Sequence, residues 1–233
     1  MTSPALVVVS GPPGTGKTTL AHELARGLGC PAVIRDEIKQ GMVLATPGYR
    51  AGGDDPLNYP TLKAFFEMTR VLLKAGVTIV IEAAFQDRLW LPHLEPLVPL
   101  ADIRVIRCNT PADIAHRRIA HRVERSDHRG AHGDHELLEA LASGEYSLDS
   151  FVPISLDVPT LEVDTSNGYE PSIEDILSFI RGSGASPAPR AQQTRRSHPT
   201  TVAGASTHSS TRRRRSASTP RRCRMPRRIC HRG

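Results

Sequence analysis

Short apolar runs alternate with segments of helical apolar spacing over the first 181 residues of the chain. Five runs predict β-strands, at residues 5–9, 31–34, 77–81, 103–108 and 161–165. Short runs rich in β-branched residues are typical of parallel strands that are buried on both faces. Strands that alternate with helices predict an α/β fold, a three-layer sandwich in which helices cover both faces of a five-stranded parallel sheet.

The helices follow from apolar residues spaced three and four positions apart. Residues 62–73 carry such a stripe, and Gly76 behind it is a plausible C-terminal cap. Further helices are expected at 19–26, 38–44, 111–125, 135–141 and 171–181, with at best a broken helix over the proline-containing residues 87–99. Residues 45–60, dense in Gly, Pro and Asp, are expected to form a loop.

Charge divides the chain sharply near residue 181. The whole chain has 30 basic and 24 acidic residues, and the 13 arginines after residue 181 leave 17 basic and 24 acidic residues before it. The net charge is therefore −7 for residues 1–181 and +13 for 182–233, which together give the +6 of the whole chain. We expect one folded domain over 1–181 and a disordered tail over 182–233, because the tail has too few apolar residues to offset its ordering entropy.

The arginine-rich tail is compatible with three interpretations. Arginine runs can neutralise phosphates, so the tail could be an arm for nucleic acid. It could equally be a solvated segment without a specific role. Its composition, all Arg and no Lys, is also what a frame-shifted or read-through end of a GC-rich gene would encode.

A glycine-rich motif stands between the first strand and the first helix. It fits the phosphate-binding P-loop pattern G-x-x-x-x-G-K-[ST], and strand, loop and helix occur in the order that the pattern requires. Lys17 is expected to reach the β- and γ-phosphates of ATP, and Thr18 to bind Mg²⁺. The predicted nucleotide-binding residues of this segment are Gly11, Pro12, Pro13, Gly14, Thr15, Gly16, Lys17, Thr18 and Thr19.

Two acidic residues follow apolar strands and are expected at the same edge of the sheet as the P-loop. Asp36 comes after the second strand and Glu82 after the third. Phosphoryl transfer to a hydroxyl needs a proton acceptor and a metal site, for which Asp36 and Glu82 respectively are suited. Alternatively, Asp36 caps the helix that begins at Glu37, and Glu82 pairs with an arginine.

Arg118 and Arg122 lie four residues apart in a basic helix and so share one face of it. This helix leads into a Gly- and His-rich segment, which suggests a short lid whose arginines clamp the ATP phosphates. The alternative is an ordinary solvated basic face. The histidines nearby do not have the spacing of a zinc site.

The sequence also leads to expectations about the cellular location and the oligomeric state of the protein. It has neither a signal peptide nor an apolar run long enough to span a membrane, so we expect a cytoplasmic protein that does not contact membranes. We expect a monomer.

The motifs together resemble P-loop kinases related to the 5′-kinase domain of polynucleotide kinase, zeta toxins and chloramphenicol phosphotransferase. The resemblance covers about residues 5–180. It implies that Asp36 is the general base, that Lys39 contacts the acceptor where Arg is common, and that Arg118 and Arg122 bind ATP phosphates. Glu82 stands where Asp is typical, and Lys39 lacks the bidentate geometry of Arg.

These features predict an ATP- and magnesium-dependent kinase that phosphorylates a hydroxyl of a small molecule or of a nucleic-acid end. In this hypothesis Lys17, Asp36, Arg118 and Arg122 are catalytic, and Thr18 and Glu82 hold the metal. The alternative is an ATPase or nucleotide-dependent switch that binds a partner or nucleic acid and phosphorylates no hydroxyl. The sequence does not identify the acceptor.

Overall fold

The structure is a computed structural model that describes residues 3–49, 55–125 and 133–182. These residues belong to one compact unit. The expected disordered tail, and part of the expected lid at residues 126–132, lie outside the described residues.

The elements alternate as the sequence predicts. The strands are β1 (Ala5–Ser10), β2 (Ala32–Ile34), β3 (Ile79–Glu82), β4 (Asp102–Asn109) and β5 (Thr160–Asp164). The α-helices are α1 (Lys17–Leu28), α2 (Arg35–Leu44), α3 (Asn58–Lys74), α4 (Asp87–Leu94), α5 (Ala112–Arg125), α6 (Asp134–Ser143) and α7 (Ile173–Ile180). Short 3-10 helices occupy Glu95–Leu100 and Leu148–Ser150.

Within the described residues the five strands form one parallel sheet in the order β2-β3-β1-β4-β5. The chain first moves from β1 to β2 on one side and returns to β3, then crosses to β4 and β5 on the other side. The P-loop therefore follows the central strand, where the connections depart in both directions. In open α/β sheets, ligands bind at the carboxyl ends of the strands beside such a reversal.

Alternate residues of β1 pack into two separate hydrophobic cores. Leu6 and Val8 lie in one core with residues of α3 and α4, whereas Val7 and Val9 lie in the other with residues of α1 and α7. Because side chains alternate between the faces of a strand, both faces of the sheet are covered by helices. The predicted fold class is confirmed.

Two helices begin three or more residues earlier than predicted. Helix α2 begins at Arg35 directly after β2, and α3 begins at Asn58, inside the segment 45–60 that was expected to be a loop. The break at 87–99 is confirmed as α4 followed by a 3-10 helix. Gly76 does end α3: its N–H donates to Leu73 O, and its φ of 78° is in the left-handed region.

Candidate active site

The P-loop is held in a tight path by close backbone contacts at two glycines. A Cβ on Gly11 would lie 2.4 Å from the carbonyl oxygen of Cys108 in β4. A Cβ on Gly14 would lie 2.6 Å from the carbonyl oxygen of Ala115 in α5. Both glycines also have positive φ, so any side chain there would meet both steric and conformational strain. The loop consequently packs directly against β4 and α5.

Helix α1 begins at Lys17 with an uncapped N-terminus. The preceding residue is Gly16, which has no side chain to accept a hydrogen bond from the first turn. The first N–H groups of a helix lack intrahelical partners and carry partial positive charge, so they form a ready site for phosphate.

Lys17 is buried, and its Nζ donates a 2.9 Å hydrogen bond to the carbonyl oxygen of Pro12. The hydroxyl of Thr15 donates to the same oxygen, also at 2.9 Å. In turn the hydroxyl of Thr165, at the end of β5, donates to Thr15 O at 2.8 Å. The loop and its lysine thus form one hydrogen-bonded unit that reaches across the sheet.

Thr18 and Glu82 lie together, as the sequence analysis expected from their positions. Thr18 Oγ1 donates to Glu82 Oε2 at 3.0 Å, and only 4% of Glu82 is exposed. Burial raises the pKa of Glu82, and the nearby Asp36 raises it further, while Lys17 and the hydrogen bond from Thr18 lower it. Since Thr18 is the hydrogen-bond partner, the alternative that Glu82 pairs with an arginine finds no support among the described residues.

Asp36 lies in the first turn of α2, where its charge suits the helix dipole. The N-cap position is Ile34, so the interpretation of Asp36 as a cap is wrong. The reason is that α2 starts without any turn after β2, which leaves no room for a cap residue beyond the strand. Arg35 Nη1 donates to Asp36 Oδ1 at 2.8 Å, and the Asp36 side chain is 42% exposed.

Lys39 does not line either of the two cavities beside the P-loop. Its side chain is buried in an ion pair with Asp55, and the Tyr49 hydroxyl donates to the same carboxylate at 2.6 Å. Burial alone would raise the pKa of Asp55, but the hydrogen bonds from Lys39, Tyr49 and the Leu57 N–H outweigh it and the pKa is lowered. The acceptor contact implied by the resemblance is therefore not the contact that Lys39 makes in this structure.

The two arginines of α5 have different partners. Arg118 Nη2 donates to the carbonyl oxygens of Thr165 and Ser166, at 2.6 and 3.2 Å, in the loop after β5. Arg122 Nη2 pairs at 3.0 Å with Asp134, in the first turn of α6. Arg122 therefore joins α5 to α6 across the residues that are not described.

Two cavities meet at the P-loop. The first, of about 600 Å³, extends from the P-loop toward the loop after β5, and the second, of about 550 Å³, extends toward α3 and α4. The residues that line both are Gly14, Lys17, Thr18, Asp36 and Arg122. Thr19 and Arg118 line only the first cavity, and Pro13 and Glu82 only the second. Most of the predicted site residues are thus brought together at one place, where the two cavities join.

Several residues around the cavities had not been singled out from the sequence. Thr165 and Tyr169 line the first cavity, and Arg35, Asn58 and Asp134 line the second. For Thr165 a signal existed, because it is the last residue of the predicted strand 161–165 and so lies at the edge where ligands bind. The others depend on the positions of helices and of one loop, which sequence patterns do not fix.

The described residues include no cluster of three or more His, Cys, Asp and Glu side chains that could hold a metal ion. His128 and His132 of the histidine-rich segment lie outside them. None of the helices in the described ranges is both long and apolar enough to cross a bilayer.

The fold and the loop define an α/β protein with the P-loop kinase fold. A family model described as an AAA domain matches residues 6–145, and the chain therefore belongs to this family of P-loop kinase-like domains. No curated protein sequence matches the chain significantly. The resemblance to P-loop kinases that the motifs predicted is confirmed at this level.

Solved structures support the same fold. A protein from Chloroflexus aurantiacus to which kinase activity has been ascribed is similar with a TM-score of 0.65 and 24% identity, over 79% of this chain and 100% of that one. A sugar kinase from Janibacter has a TM-score of 0.53 and 21% identity, over 77% of this chain and 95% of that one. The APS kinase of Mycobacterium tuberculosis, solved with AMPPNP and APS, has a TM-score of 0.54 and 15% identity, over 78% and 99%.

Proposed function

We propose that the protein is an ATP-dependent phosphotransferase that moves the γ-phosphate of ATP to a hydroxyl group. The observation that carries this proposal is the junction of the two cavities. Lys17 and Asp36, a phosphate-binding cation and a proton acceptor, both line the first and the second cavity. An ATPase needs only a nucleotide site and a water, whereas a kinase needs a second site that opens onto the same γ-phosphate.

In this proposal the first cavity holds ATP. The backbone N–H groups of the P-loop and of the α1 N-terminus bind the phosphates. Lys17, Arg118 and Arg122 line the cavity and stabilise the charge that spreads over the transferring phosphoryl group.

The oxygens of Thr18 and Glu82 fit a magnesium ion. Mg²⁺ prefers hard oxygen ligands, and it is commonly held by one or two carboxylates together with substrate phosphates. A buried carboxylate beside a hydroxyl provides such a donor set. Mg²⁺ bound there supplies positive charge next to the phosphate oxygens.

Asp36 is proposed to accept the proton of the attacking hydroxyl. It lies in the first turn of α2 and lines both cavities. Its side chain is partly exposed at the junction of the cavities, so an acceptor in the second cavity can reach it.

The test is an acceptor screen with radiolabelled ATP, in which wild type is compared with Asp36→Asn. We expect this substitution to lower kcat by roughly 10²–10⁴-fold with little change in the KM for ATP, which is the usual size of a general-base contribution. Glu67→Gln is the control, because Glu67 is an exposed carboxylate of α3 that lines neither cavity.

If the Asp36→Asn variant transferred phosphate as fast as wild type, Asp36 would not be the general base. ADP formation without any phosphorylated acceptor would instead favour the ATPase or switch hypothesis. The cytoplasmic location, the monomeric state and a nucleic-acid contact through the tail stay predictions from the sequence.

A further inference from the structure

The second cavity differs from the first in the chemistry of its walls, and this difference points to a class of acceptor. We infer that the acceptor is an uncharged alcohol with an apolar, ring-bearing body, rather than a phosphorylated sugar or a nucleic-acid end. This inference rests on the proposed function, since it assigns the second cavity to the acceptor. The cavity volume of about 550 Å³ accommodates a molecule of a few rings.

Beyond the junction, five large apolar or aromatic side chains from three helices and one loop line the cavity. They are Tyr59 and Leu62 of α3, Phe85 after β3, Leu89 of α4 and Leu137 of α6. Phe85 is held in place by its edge-on contact with the buried Trp90, with ring centroids 5.3 Å apart. A fixed aromatic ring offers a flat surface on which an apolar body gains from leaving water.

The charges around this cavity cancel. Lys17, Arg35 and Arg122 are the three cationic residues of its wall, and Asp36, Glu82 and Asp134 are the three acidic ones. A bound anion would therefore meet no net positive charge from these side chains, and ATP with its magnesium ion, which together carry net negative charge, would repel it.

Arg35 and Arg122 moreover already form hydrogen bonds or ion pairs with other residues that line the second cavity. Arg35 donates to Asp36 and, at 2.8 Å, to Asn58, and its guanidinium lies 5.9 Å from the centre of the Phe85 ring. Arg122 is paired with Asp134. An acceptor phosphate would compete with these carboxylates for the guanidinium groups, whereas an uncharged alcohol leaves both pairs intact.

Lys39, the cation that by resemblance was expected to contact the acceptor, is instead buried in its ion pair with Asp55. Recruiting it would leave the Asp55 carboxylate buried without its counter-ion, which is strongly unfavourable. The residue that could have bound an anionic acceptor is thus committed elsewhere.

The reaction balances with this acceptor and ATP alone. The hydroxyl oxygen of the alcohol forms a bond to the γ-phosphorus, and the bond from the γ-phosphorus to the bridging oxygen of ADP breaks. The hydroxyl proton passes to the Asp36 carboxylate and then to water. The products are ADP and a phosphate monoester of the alcohol.

The experiment uses the full chain and four probes: benzyl alcohol and naphthylmethanol as ring alcohols, glucose as an uncharged polyol, and adenosine 3′-phosphate as an anionic acceptor. Binding is measured by equilibrium dialysis with AMPPNP in place of ATP, which keeps the first cavity occupied, and transfer by phosphorylation from radiolabelled ATP. We expect naphthylmethanol to bind most tightly and to show the highest kcat/KM. Preferred binding of glucose or adenosine 3′-phosphate would overturn the inference.

Two serine substitutions on α3 locate the bound probe. Tyr59 and Val71 are both exposed residues of this helix, at 73% and 66%, but only Tyr59 lines the cavity. Tyr59→Ser should raise the dissociation constant and the KM for naphthylmethanol about tenfold, the usual effect of removing an apolar contact from a pocket, with the KM for ATP unchanged. Val71→Ser should change neither constant.

The outcomes separate the inference from the proposed function. Binding of naphthylmethanol that depends on Tyr59, without any transfer, would support the apolar site and contradict the kinase. Transfer to glucose or adenosine 3′-phosphate that is unaffected by Tyr59→Ser would support the kinase and overturn the apolar acceptor.

Discussion

At the scale of single residues, glycines with positive φ serve two different physical purposes. Gly11 and Gly14 permit close approach of the loop to β4 and α5, because even a methyl group would overlap a carbonyl oxygen. Gly48, in the loop after α2, has a similar positive φ of 72° but open space around it, with nothing within 4 Å of an added Cβ. Gly11 and Gly14 thus let the P-loop pack closely against β4 and α5, whereas Gly48 only allows a left-handed backbone conformation.

Gly14→Ala should therefore destabilise the protein more than Gly48→Ala. The control is expected to lose roughly 1–2 kcal/mol of unfolding free energy, the cost of a left-handed conformation for a residue other than glycine. Gly14→Ala should lose about 1–3 kcal/mol more, because the methyl group overpacks against Ala115 O, and the KM for ATP should rise. Urea unfolding and steady-state kinetics measure both effects, and equal losses in the two variants would contradict this account.

At the scale of elements, the ion pair of Lys39 with Asp55 joins α2 to the segment that leads into α3. Lys39 belongs to α2, and Asp55 precedes α3 by three residues and also accepts the Leu57 N–H at 2.9 Å. The two side chains are only 8% and 7% exposed, so the pair is largely shielded from solvent. This contact places Asn58 and Tyr59 at the second cavity.

Asp55→Asn should lower the unfolding free energy near neutral pH by roughly 3–5 kcal/mol, because it leaves the buried Lys39 without its counter-ion. The folded-state pKa of Asp55 is lowered from 3.8, so its contribution is present above that value and is lost as the pH falls through the lowered pKa. The difference between wild type and variant should accordingly shrink in acid. Urea unfolding at several pH values measures it.

Glu67→Gln is the control for this prediction. Glu67 forms an exposed pair with Lys63 on α3, with side chains 65% and 61% exposed, and its loss should change stability by less than about 0.5 kcal/mol. A difference for Asp55→Asn that persisted unchanged below pH 3.8 would contradict the role of its ionised form.

At the scale of the whole molecule, both hydrophobic cores lie within residues 6–180. Removal of residues 182–233 is therefore expected to change the unfolding free energy by no more than about 0.5 kcal/mol, as for surface changes that touch no core residue. Urea unfolding of residues 1–181 and of the full chain provides the comparison. A larger loss would mean that the tail contributes to the folded domain.

A comparison of residues 1–181 with the full chain also tests the interpretations of the tail. If the arginines form a nucleic-acid arm, the full chain should bind more tightly and lose affinity more steeply with salt, because each phosphate contact releases counter-ions. Equal affinities for nucleic acid, with equal salt dependence in the two proteins, would contradict the interpretation of the tail as a nucleic-acid arm.

The part of the molecule that follows from periodicity and from one motif was predictable. The strands, their parallel arrangement and the position of Lys17, Thr18, Asp36 and Glu82 at one edge are all consequences of local pattern. The start of α3 was missed because Asn58 follows a segment rich in Gly, Pro and Asp, where the pair between Lys39 and Asp55 overrides local preference. The wall of the second cavity could not be predicted from the sequence either, because it depends on how three helices pack together and not on the pattern of any one helix.

The carbonyl oxygen of Pro12 accepts hydrogen bonds from two donors, Lys17 and Thr15. A carbonyl has two lone pairs, so both bonds can exist at once, and either can be lost while the other remains. When phosphate draws Lys17 away, Thr15 keeps the carbonyl satisfied and the loop retains its shape. Capture of a nucleotide then requires the rotation of one side chain, which is faster than rearrangement of a loop. The rate of nucleotide arrival should consequently be limited by diffusional encounter and not by a conformational change of the P-loop.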